Sequence, residues 1–396
     1  MFKFSVLSTF ILTFCLGVSA QYKEEDLSLS IREINEKYYK GTNFYVGVAP
    51  GSSYLSPANK EKLAFVTDEF KYITSSAFKQ TYVYPEPNAP WNDKEYKEWI
   101  ELARKNGMVI RAHGPVSPQV SQWAKGLDHT AEEMLSVMTT FMTRQAKDIQ
   151  ANRDVVLWMD VVNETVATSE MEGARYKRGE WFGPMEKNVF WQNPWLIIGI
   201  DEKSGIPIYI LKAFELANKY APDVKKVLNN QRDPSDDLVW DKLKYTIKYL
   251  RSIGERVDGI GWQAHVSLGW ENDPEKVEGL KRQIEWAHAN NLEFHITELD
   301  VICPVDKWKT DRQAQAKTIG TICDIAMSYV GKGMATINFW DIIDGSRNLS
   351  GNNNKYFGGI FPDHDIEKHR NDPVYLAIKR AMLKHAPSLS TQSVKR

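Results

Sequence analysis

The sequence predicts an α/β protein with a single (β/α)8 TIM barrel and long loops after strands four and eight. Apolar, strand-like runs alternate with helix-like segments, and eight such repeats are the count of this barrel. A doubly wound open sheet is the rival fold, but it usually has fewer repeats and a glycine-rich first turn. Gly47–Gly51 does not supply the G-x-G-x-x-G pattern of that turn. The eight strand-like runs are Phe44–Ala49, Tyr72–Phe78, Met108–His113, Val155–Val162, Val224–Asn229, Val257–His265, Leu292–Leu299 and Ala335–Trp340.

The segments around these strands have the apolar spacing of amphipathic helices. A lead-in helix is expected over Glu24–Tyr39. Pro207 and Pro274 each suit the first turn of a helix, because the missing N–H costs nothing there. The other predicted helices are Lys60–Glu69, Lys94–Asn106, Thr130–Ile149, Pro207–Tyr220, Leu238–Arg256, Pro274–Ala289, Asp311–Tyr329 and Pro373–His385.

Two predicted connections are long, Thr165–Gly205 after the fourth strand and Asp341–Asp372 after the eighth. Both follow the carboxyl ends of strands, which form the functional face of such a barrel. Long loops in a compact domain are either functional or disordered, and the aromatic residues of these two argue against disorder.

Composition and net charge indicate which classes of molecule the protein is expected to bind. The chain has 396 residues, 50 Lys and Arg against 51 Asp and Glu, and a net charge of −1. Nucleic acids and anionic membranes usually require a strong basic excess, so neither is an expected partner. The 13 Trp residues suit a large core and also suit stacking on sugar faces. We expect a monomer.

Met1–Ala20 has the pattern of a secretory signal, which leaves residues 21–396 as the catalytic barrel. A basic Lys3 precedes an apolar core, and Val-Ser-Ala stands before Gln21. A transmembrane anchor is the alternative, but the apolar run is short for a span. The expected location is therefore secreted or periplasmic. Cys303 and Cys323 then either form one disulfide or remain buried thiols. No Cys and His spacing resembles a metal site, and no cofactor is expected.

Polar residues stand at the ends of two apolar strands. Val155–Val166 carries Asp160 and ends in Asn163-Glu164, and Leu292–Val301 carries Glu298 and Asp300. A buried charge costs several kcal/mol unless it is paired, so a carboxylate at a strand end is expected where the strand opens onto an active site.

Glu164 and Glu298 end the fourth and seventh predicted strands and should face each other across the barrel mouth. Paired carboxylates suit glycosidic cleavage, in which one acid protonates the leaving oxygen and the other attacks the anomeric carbon. Gln263 and His265 are placed to donate to Glu298, with Asp300 able to orient His265. The alternative is that both glutamates have a structural role as members of ion pairs.

Three segments resemble signatures of glycoside hydrolase family 10, the retaining endo-β-1,4-xylanases with a (β/α)8 barrel. They are Val-Val-Asn-Glu at Val161–Glu164, Gly-Ile-Gly-Trp-Gln-Ala-His at Gly259–His265 and Ile-Thr-Glu-Leu-Asp at Ile296–Asp300. Phe339–Asp344 resembles the eighth-strand motif and Pro373–Tyr375 the last helix. The resemblance covers the whole mature chain and is strongest from strand four onward.

The resemblance implies that Glu164 is the acid/base and Glu298 the nucleophile. It implies that Asn163 bonds the 2-hydroxyl of the sugar being cleaved, a contact that strengthens in the transition state. Gln263 and His265 would contact the nucleophile. The resemblance also makes Trp340 the floor of the same subsite. For Gln263, His265 and Trp340 the alternative is a purely structural role in the core.

The resemblance fails on the side that binds the non-reducing sugars. The family has a Glu-Asn pair and a nearby Lys after strand two, where this chain has Ser76, Ala77 and Gln80. After strand three His113 remains, but Ser117–Pro118 stands where the family has Trp-His.

A second Trp of the eighth-strand motif is also replaced, since Arg347 and Asn348 stand at its position. The expected substrate is a polysaccharide or oligosaccharide, most simply xylan or a decorated xylan. The same mechanism on a different β-linked glycan, or a glycan-binding barrel with weak catalysis, stays open. Asn163-Glu-Thr and Asn348-Leu-Ser are formal glycosylation triplets, and we expect neither to be modified.

Overall fold

The computed structural model describes residues 24–168, 175–304, 311–344 and 356–387. The predicted signal at Met1–Ala20 and the expectations for Arg347 and Asn348 lie outside these residues. None of the described helices is long and apolar enough to cross a membrane.

Eight parallel strands form a closed barrel. Tyr45–Val48 pairs with both Tyr72–Ser75 and Met334–Phe339, and Glu293–Pro304 pairs with both Gly259–Trp262 and Met334–Phe339, so the sheet has no open edge. The predicted (β/α)8 fold is therefore confirmed. The barrel strands are β1 (Tyr45–Val48), β2 (Tyr72–Ser75), β3 (Val109–Ala112), β4 (Val156–Asn163), β5 (Lys225–Asn230), β6 (Gly259–Trp262), β8 (Glu293–Pro304) and β9 (Met334–Phe339).

Two short strands extend the barrel mouth. β7 (His265–Ser267) continues the path of β6 and pairs in parallel with the outer half of β8, with His265 opposite Asp300. β10 (Tyr356–Phe357) pairs antiparallel with the last residues of β8.

Helices surround the barrel, and most lie within two to four residues of their predicted bounds. They are α1 (Ile31–Tyr38), α2 (Lys60–Glu69), α3 (Gln80–Val83), α4 (Lys94–Lys105), α5 (Ala131–Ala151), α6 (Ile208–Tyr220), α7 (Asp237–Ser252), α8 (Pro274–Ala289), α9 (Arg312–Met327), α10 (Ile366–His369) and α11 (Pro373–Lys384).

Helix caps explain the differences at the boundaries. The expected single helix over Glu24–Tyr39 is instead a 3-10 turn at Glu24–Ser28 followed by α1, because Ser30 and Glu33 form a capping box that starts a new helix. Pro274 is the first residue of α8, as predicted, whereas Pro207 stands immediately before α6.

A buried ionic network crosses the barrel interior. Arg111 of β3 is fully buried and pairs with Asp160 of β4; it also bonds the Tyr72 hydroxyl at 2.7 Å and lies 2.6 Å from His295 Nδ1. Burial and the Arg111 charge lower the pKa of His295 to about 4, so this histidine is neutral. Such a network is costly unless every member is paired, and here it fixes Asp160 beneath the barrel mouth.

A buried carboxylate joins three of the helices that surround the barrel. Glu69, at the end of α2, accepts hydrogen bonds from the Ile31 backbone N–H (2.8 Å) and the Tyr375 hydroxyl (2.6 Å). Burial raises the pKa of Glu69 to about 7. This contact joins α1, α2 and α11 far from the strand ends that carry the predicted site.

Cys323 is a buried free thiol in α9, so it is not bonded to Cys303 of β8. The alternative of one disulfide between these two residues is therefore wrong.

Candidate active site

Glu164 directly follows β4 and sits in strained backbone. Its φ is +55°, in the left-handed region that side-chain-bearing residues rarely adopt. Its backbone N–H donates to the Asn229 carbonyl of β5 at 3.1 Å, which holds the bend. Such strain costs about 1–3 kcal/mol and is typically found at functional sites.

Glu298 lies within β8 and is surrounded by donors. Asn229 Nδ2 donates to its Oε1 at 3.0 Å, His265 Nε2 lies 3.4 Å from its Oε2, and His113 Nε2 lies 3.7 Å from its Oε1. Glu298 is only 3% exposed and Glu164 only 5%. The two predicted carboxylates are thus buried together at the barrel mouth and interact electrostatically.

The surroundings shift the two carboxyl pKa values in opposite directions. Burial alone would raise the pKa of Glu298, but the charge of His113, the hydrogen bond from His265 and the charge of Lys79 outweigh it and lower that pKa to about 2. Burial and the negative charge of Glu298 raise the pKa of Glu164. One carboxyl is therefore ionised while its neighbour favours the protonated form, the arrangement that separates a nucleophile from an acid.

Two further carboxylates orient the histidines beside Glu298. Asp300 Oδ1 lies 2.9 Å from His265 Nδ1, and Asp160 Oδ2 lies 3.0 Å from His113 Nδ1. Burial opposes the charged imidazole of His265, but the charge of Asp300 prevails and raises its pKa to about 10. The predicted roles of Asp300 as a partner of His265 and of Asp160 as support agree with these contacts.

Gln263 does not take the position expected for it. Its Nε2 donates to Glu164 Oε1 at 2.6 Å and to Asn163 Oδ1 at 3.2 Å, so it contacts Glu164 rather than Glu298. The cause is Ala264, whose φ of +62° interrupts the alternation of a regular strand. Gln263 and His265 therefore serve different carboxylates.

Asn163 is held by its carbonyl oxygen. That Oδ1 accepts from Gln263 and from Asn229 Nδ2, the latter at 2.9 Å, which fixes the amide so that its NH2 is the opposite end. The other oxygen of the Glu164 carboxyl, Oε2, is buried and has no hydrogen-bond partner among the described residues. Among the described residues the site thus presents one buried carboxyl oxygen that has no hydrogen-bond partner.

Trp340 lies beside both histidines at the end of β9. Its ring centroid is 5.2 Å from that of His113 and 6.5 Å from that of His265, both in edge-on geometry. The indole is partly exposed. The Trp340 ring therefore lies beside the two histidines that face Glu298.

Sequence reasoning missed two residues of this site. Lys79 is 3% exposed; its charge helps to lower the pKa of Glu298 and partly opposes the rise in the pKa of Glu164. The resemblance to the family places Ser76, Ala77 and Gln80 after strand two and does not include this Lys. Asn229 is the last residue of the predicted fifth strand, and the signal that could have identified it is the pair of polar Asn residues that ends β5.

A hydrogen bond from the long loop after β4 stabilises the loop after β3. Trp195 is fully buried, and its Nε1 donates to the Ser117 carbonyl at 3.2 Å. Ser117 and Pro118 thus form a buried turn. Within the described part of the chain, no cluster of His, Cys, Asp and Glu side chains is arranged to hold a metal ion.

A closed (β/α)8 barrel with two buried carboxyl groups of opposite pKa shift at its mouth defines a glycoside hydrolase of the paired-carboxylate class. The model of glycosyl hydrolase family 10 matches residues 34–369. The chain belongs to this family.

Relatives and solved structures agree with that assignment. The chain is 26% identical over 376 residues to an endo-1,4-beta-xylanase B from Thermotoga neapolitana, covering 94% of this chain and 96% of that protein. It is 32% identical over 284 residues to an endo-1,4-beta-xylanase A from Caldicellulosiruptor saccharolyticus, covering 70% and 72%. The fold matches xylanase 10B from Thermotoga maritima with a TM-score of 0.72 at 24% identity, covering 90% of this chain and 98% of that one.

Proposed function

We propose that the protein is a retaining endo-β-1,4-xylanase-type enzyme that cleaves xylan or a decorated xylan by double displacement. The opposite pKa shifts of Glu164 and Glu298 within one buried site carry this proposal. The similarity to two endo-1,4-beta-xylanases along most of their length supports the choice of xylan.

In the first step Glu298 is the nucleophile and Glu164 the acid. The ionised Glu298 attacks the anomeric carbon as the glycosidic C–O bond breaks, and Glu164 gives its proton to the leaving oxygen. Glu164 Oε2, which has no described hydrogen-bond partner, suits this transfer. The products are the shortened chain and a covalent glycosyl ester on Glu298.

In the second step Glu164, now a carboxylate, takes a proton from water. The hydroxide character of that water lets it attack the anomeric carbon, which releases Glu298 and restores the starting protonation of both groups. Asn163 donates through its NH2 to the 2-hydroxyl of the sugar. The Trp340 ring forms the floor of the subsite that binds this sugar.

Two substitutions separate the roles of the carboxylates. Glu298→Ala is expected to abolish turnover of every glycoside, whereas Glu164→Ala is expected to spare activated aryl glycosides far more than xylan, because a good leaving group needs no proton. Asn230→Ala, a neighbouring buried change in β5, serves as a control for folding. An equal loss on both kinds of substrate would remove the acid role from Glu164.

The stereochemical outcome is a second test. Proton NMR of the first product should show the retained β-anomer, and an inverted anomer would refute the double displacement. A panel of plain and decorated xylans and β-glucans, with products identified by mass, decides between xylan and another β-glycan. Binding without turnover of any aryl β-glycoside would favour a glycan-binding barrel.

We also propose that the protein is exported and acts as a monomer without nucleic-acid or membrane partners. The pattern of Met1–Ala20 supports export, and the net charge of −1 argues against a nucleic-acid or anionic membrane partner. N-terminal sequencing of the secreted protein should begin near Gln21, and light scattering should give the monomer mass. A full-length protein retained in the cytoplasm would contradict export.

A further inference from the structure

A cavity of about 380 Å³ opens beside Trp340, between the ends of β1, β2 and β9. Its volume is within the range of pockets that hold small ligands. Trp340 forms one wall of this cavity, and its ring also contacts His113, which lies 3.7 Å from Glu298. The cavity therefore adjoins the proposed subsite of the sugar that is cleaved.

A second cavity lies on the other side of the catalytic pair. It measures about 660 Å³ and is lined by residues that follow β4, β5 and β6, among them Thr168, Arg232 and His265. The strands of Glu164 and Glu298 separate the two cavities around the barrel. Because residues after strand two bind the non-reducing sugars in the family that this chain resembles, the cavity beside Trp340 belongs to the glycone side.

We propose that the cavity beside Trp340 binds an uncharged sugar branch carried by the glycone part of the substrate. This inference rests on the proposed cleavage of a xylan-type chain and adds the class of decoration. Ser76 and Ala77 line the cavity where the resemblance predicts a longer Glu-Asn pair, so their short side chains leave room beside the main chain of the substrate.

An ordered turn borders the cavity at the end of β2. Ser75 is buried, and its Oγ accepts the Ala77 backbone N–H at 3.2 Å, which caps the short turn that follows β2. Ser52 and Ser53, after β1, line the facing side. Short hydroxyl side chains on both sides provide donors and acceptors for sugar hydroxyls without filling the space.

Two tyrosines complete a surface for a neutral sugar. Tyr82 lines the cavity and is 52% exposed, an aromatic face on which the C–H face of a sugar ring can pack. The Tyr54 hydroxyl lies 3.1 Å from His364 Nε2, and burial raises the pKa of Tyr54 to about 12, so it remains a neutral hydroxyl.

Charge distinguishes this cavity from the one across the site. Glu95 and Asp341 both line it, and the described residues that line it include no lysine or arginine to pair with the carboxylate of a uronic acid branch. The opposite cavity is lined by Arg178, Arg232 and Lys276 together with aspartates. An uncharged pentosyl or hexosyl branch therefore suits the cavity beside Trp340 better than a glucuronosyl branch.

The test uses three aryl β-xylobiosides that differ only at the non-reducing xylose: unbranched, with a pentosyl branch, and with a glucuronosyl branch. For the wild-type protein we expect kcat/KM on the pentosyl substrate to equal or exceed that on the unbranched one. We expect the glucuronosyl substrate to be poorer than the pentosyl substrate by about 10-fold or more. Equal rates on all three, or a preference for the glucuronosyl substrate, would overturn the proposal.

Two variants assign the effect to the cavity. Ser76→Gln should lower kcat/KM on the pentosyl substrate about 10-fold relative to the unbranched one, since the longer side chain fills the space. Glu95→Gln should improve the glucuronosyl substrate relative to the pentosyl one. Ser267→Gln, in the opposite cavity, should leave both ratios unchanged. If Ser76→Gln and Ser267→Gln change the ratios alike, the branch does not occupy this cavity.

Calorimetry with matched free oligosaccharides measures binding to the wild-type protein independently of turnover. It therefore tests the branch-binding cavity separately from the proposed catalysis. Selective binding of the pentosyl-branched oligosaccharide without any turnover would refute the proposed catalysis and retain the binding site. Turnover of all substrates with equal affinity for branched and unbranched oligosaccharides would refute the binding site alone.

Discussion

Asn229 offers the sharpest test of how the site is built. Its Nδ2 donates both to Glu298 Oε1 at 3.0 Å and to Asn163 Oδ1 at 2.9 Å, and its Oδ1 accepts from Thr297 Oγ1 at 2.8 Å. One amide thus sets the distance between the proposed nucleophile and the proposed donor to the 2-hydroxyl. Asn229→Ala removes these contacts without adding a new group.

The expected loss is large because the site is buried. A hydrogen bond to an ionised group contributes about 1.5–3 kcal/mol. A misplacement of about 1 Å in a catalytic group can cost on the order of 100-fold. We therefore expect kcat/KM on an activated aryl xyloside to fall about 10- to 100-fold.

The pH profile gives a readout that general destabilisation would not produce. A carboxylate that loses a donor has a higher pKa, so the acid limb of kcat/KM should move from near pH 2 to higher pH, by about one to two pH units. The matched control is Asn230→Ala. Asn230 is also fully buried in β5, but its side chain has no hydrogen-bond partner among the described residues. The reasoning fails if both variants lose activity equally and the acid limb stays in place.

Further predictions concern Glu164, Glu69 and Arg111. Gln263→Leu removes a hydrogen bond that lowers the pKa of Glu164, so the basic limb of kcat/KM should move to higher pH; an unchanged limb would contradict this role. Because the folded-state pKa of Glu69 is raised from 4.5 to about 7, the folded state binds its proton more tightly, and the free energy of unfolding should fall between about pH 5 and pH 7. Glu69→Gln should remove up to about 3 kcal/mol of that fall in urea titrations, whereas an unaltered slope would mean that Glu69 is ionised at little cost. Arg111→Met removes the guanidinium that pairs with the buried Asp160 and leaves only His113 beside that carboxylate, so the free energy of unfolding, also measured in urea, should fall by about 3–5 kcal/mol.

Periodicity was sufficient for the barrel but not for every helix. Strand-like runs and helical spacing depend on burial, which repeats regularly along the chain, and the eight barrel strands lie where these patterns predicted them. The lead-in segment differs because Ser30 forms a local capping box, which overrides the apolar spacing of Glu24–Tyr39. Local hydrogen bonds of this kind are read from single residues rather than from periodicity.

The pattern of strand-end carboxylates located the site but not all of its contacts. Glu164 and Glu298 were found because charge at the end of an apolar strand is costly and therefore informative. Gln263 was assigned to the wrong carboxylate because the rule of alternating faces assumes regular backbone, and Ala264 departs from it. Lys79 was missed because no strand period describes the short turn that follows β2.

The structure constrains the catalytic pair, Glu164 and Glu298, more tightly than it constrains the residues that line the cavity beside Trp340. Each oxygen of Glu298 faces a group that is itself held by a second residue, as His265 is by Asp300, so a change in any member disturbs several buried contacts. Ser76 is partly exposed and lines an open cavity, where a longer or shorter side chain displaces only solvent. Substrate choice can therefore change at Ser76 while the reaction is preserved. This difference in constraint explains why the sequence identifies the chemistry more readily than the branch that the cavity accepts.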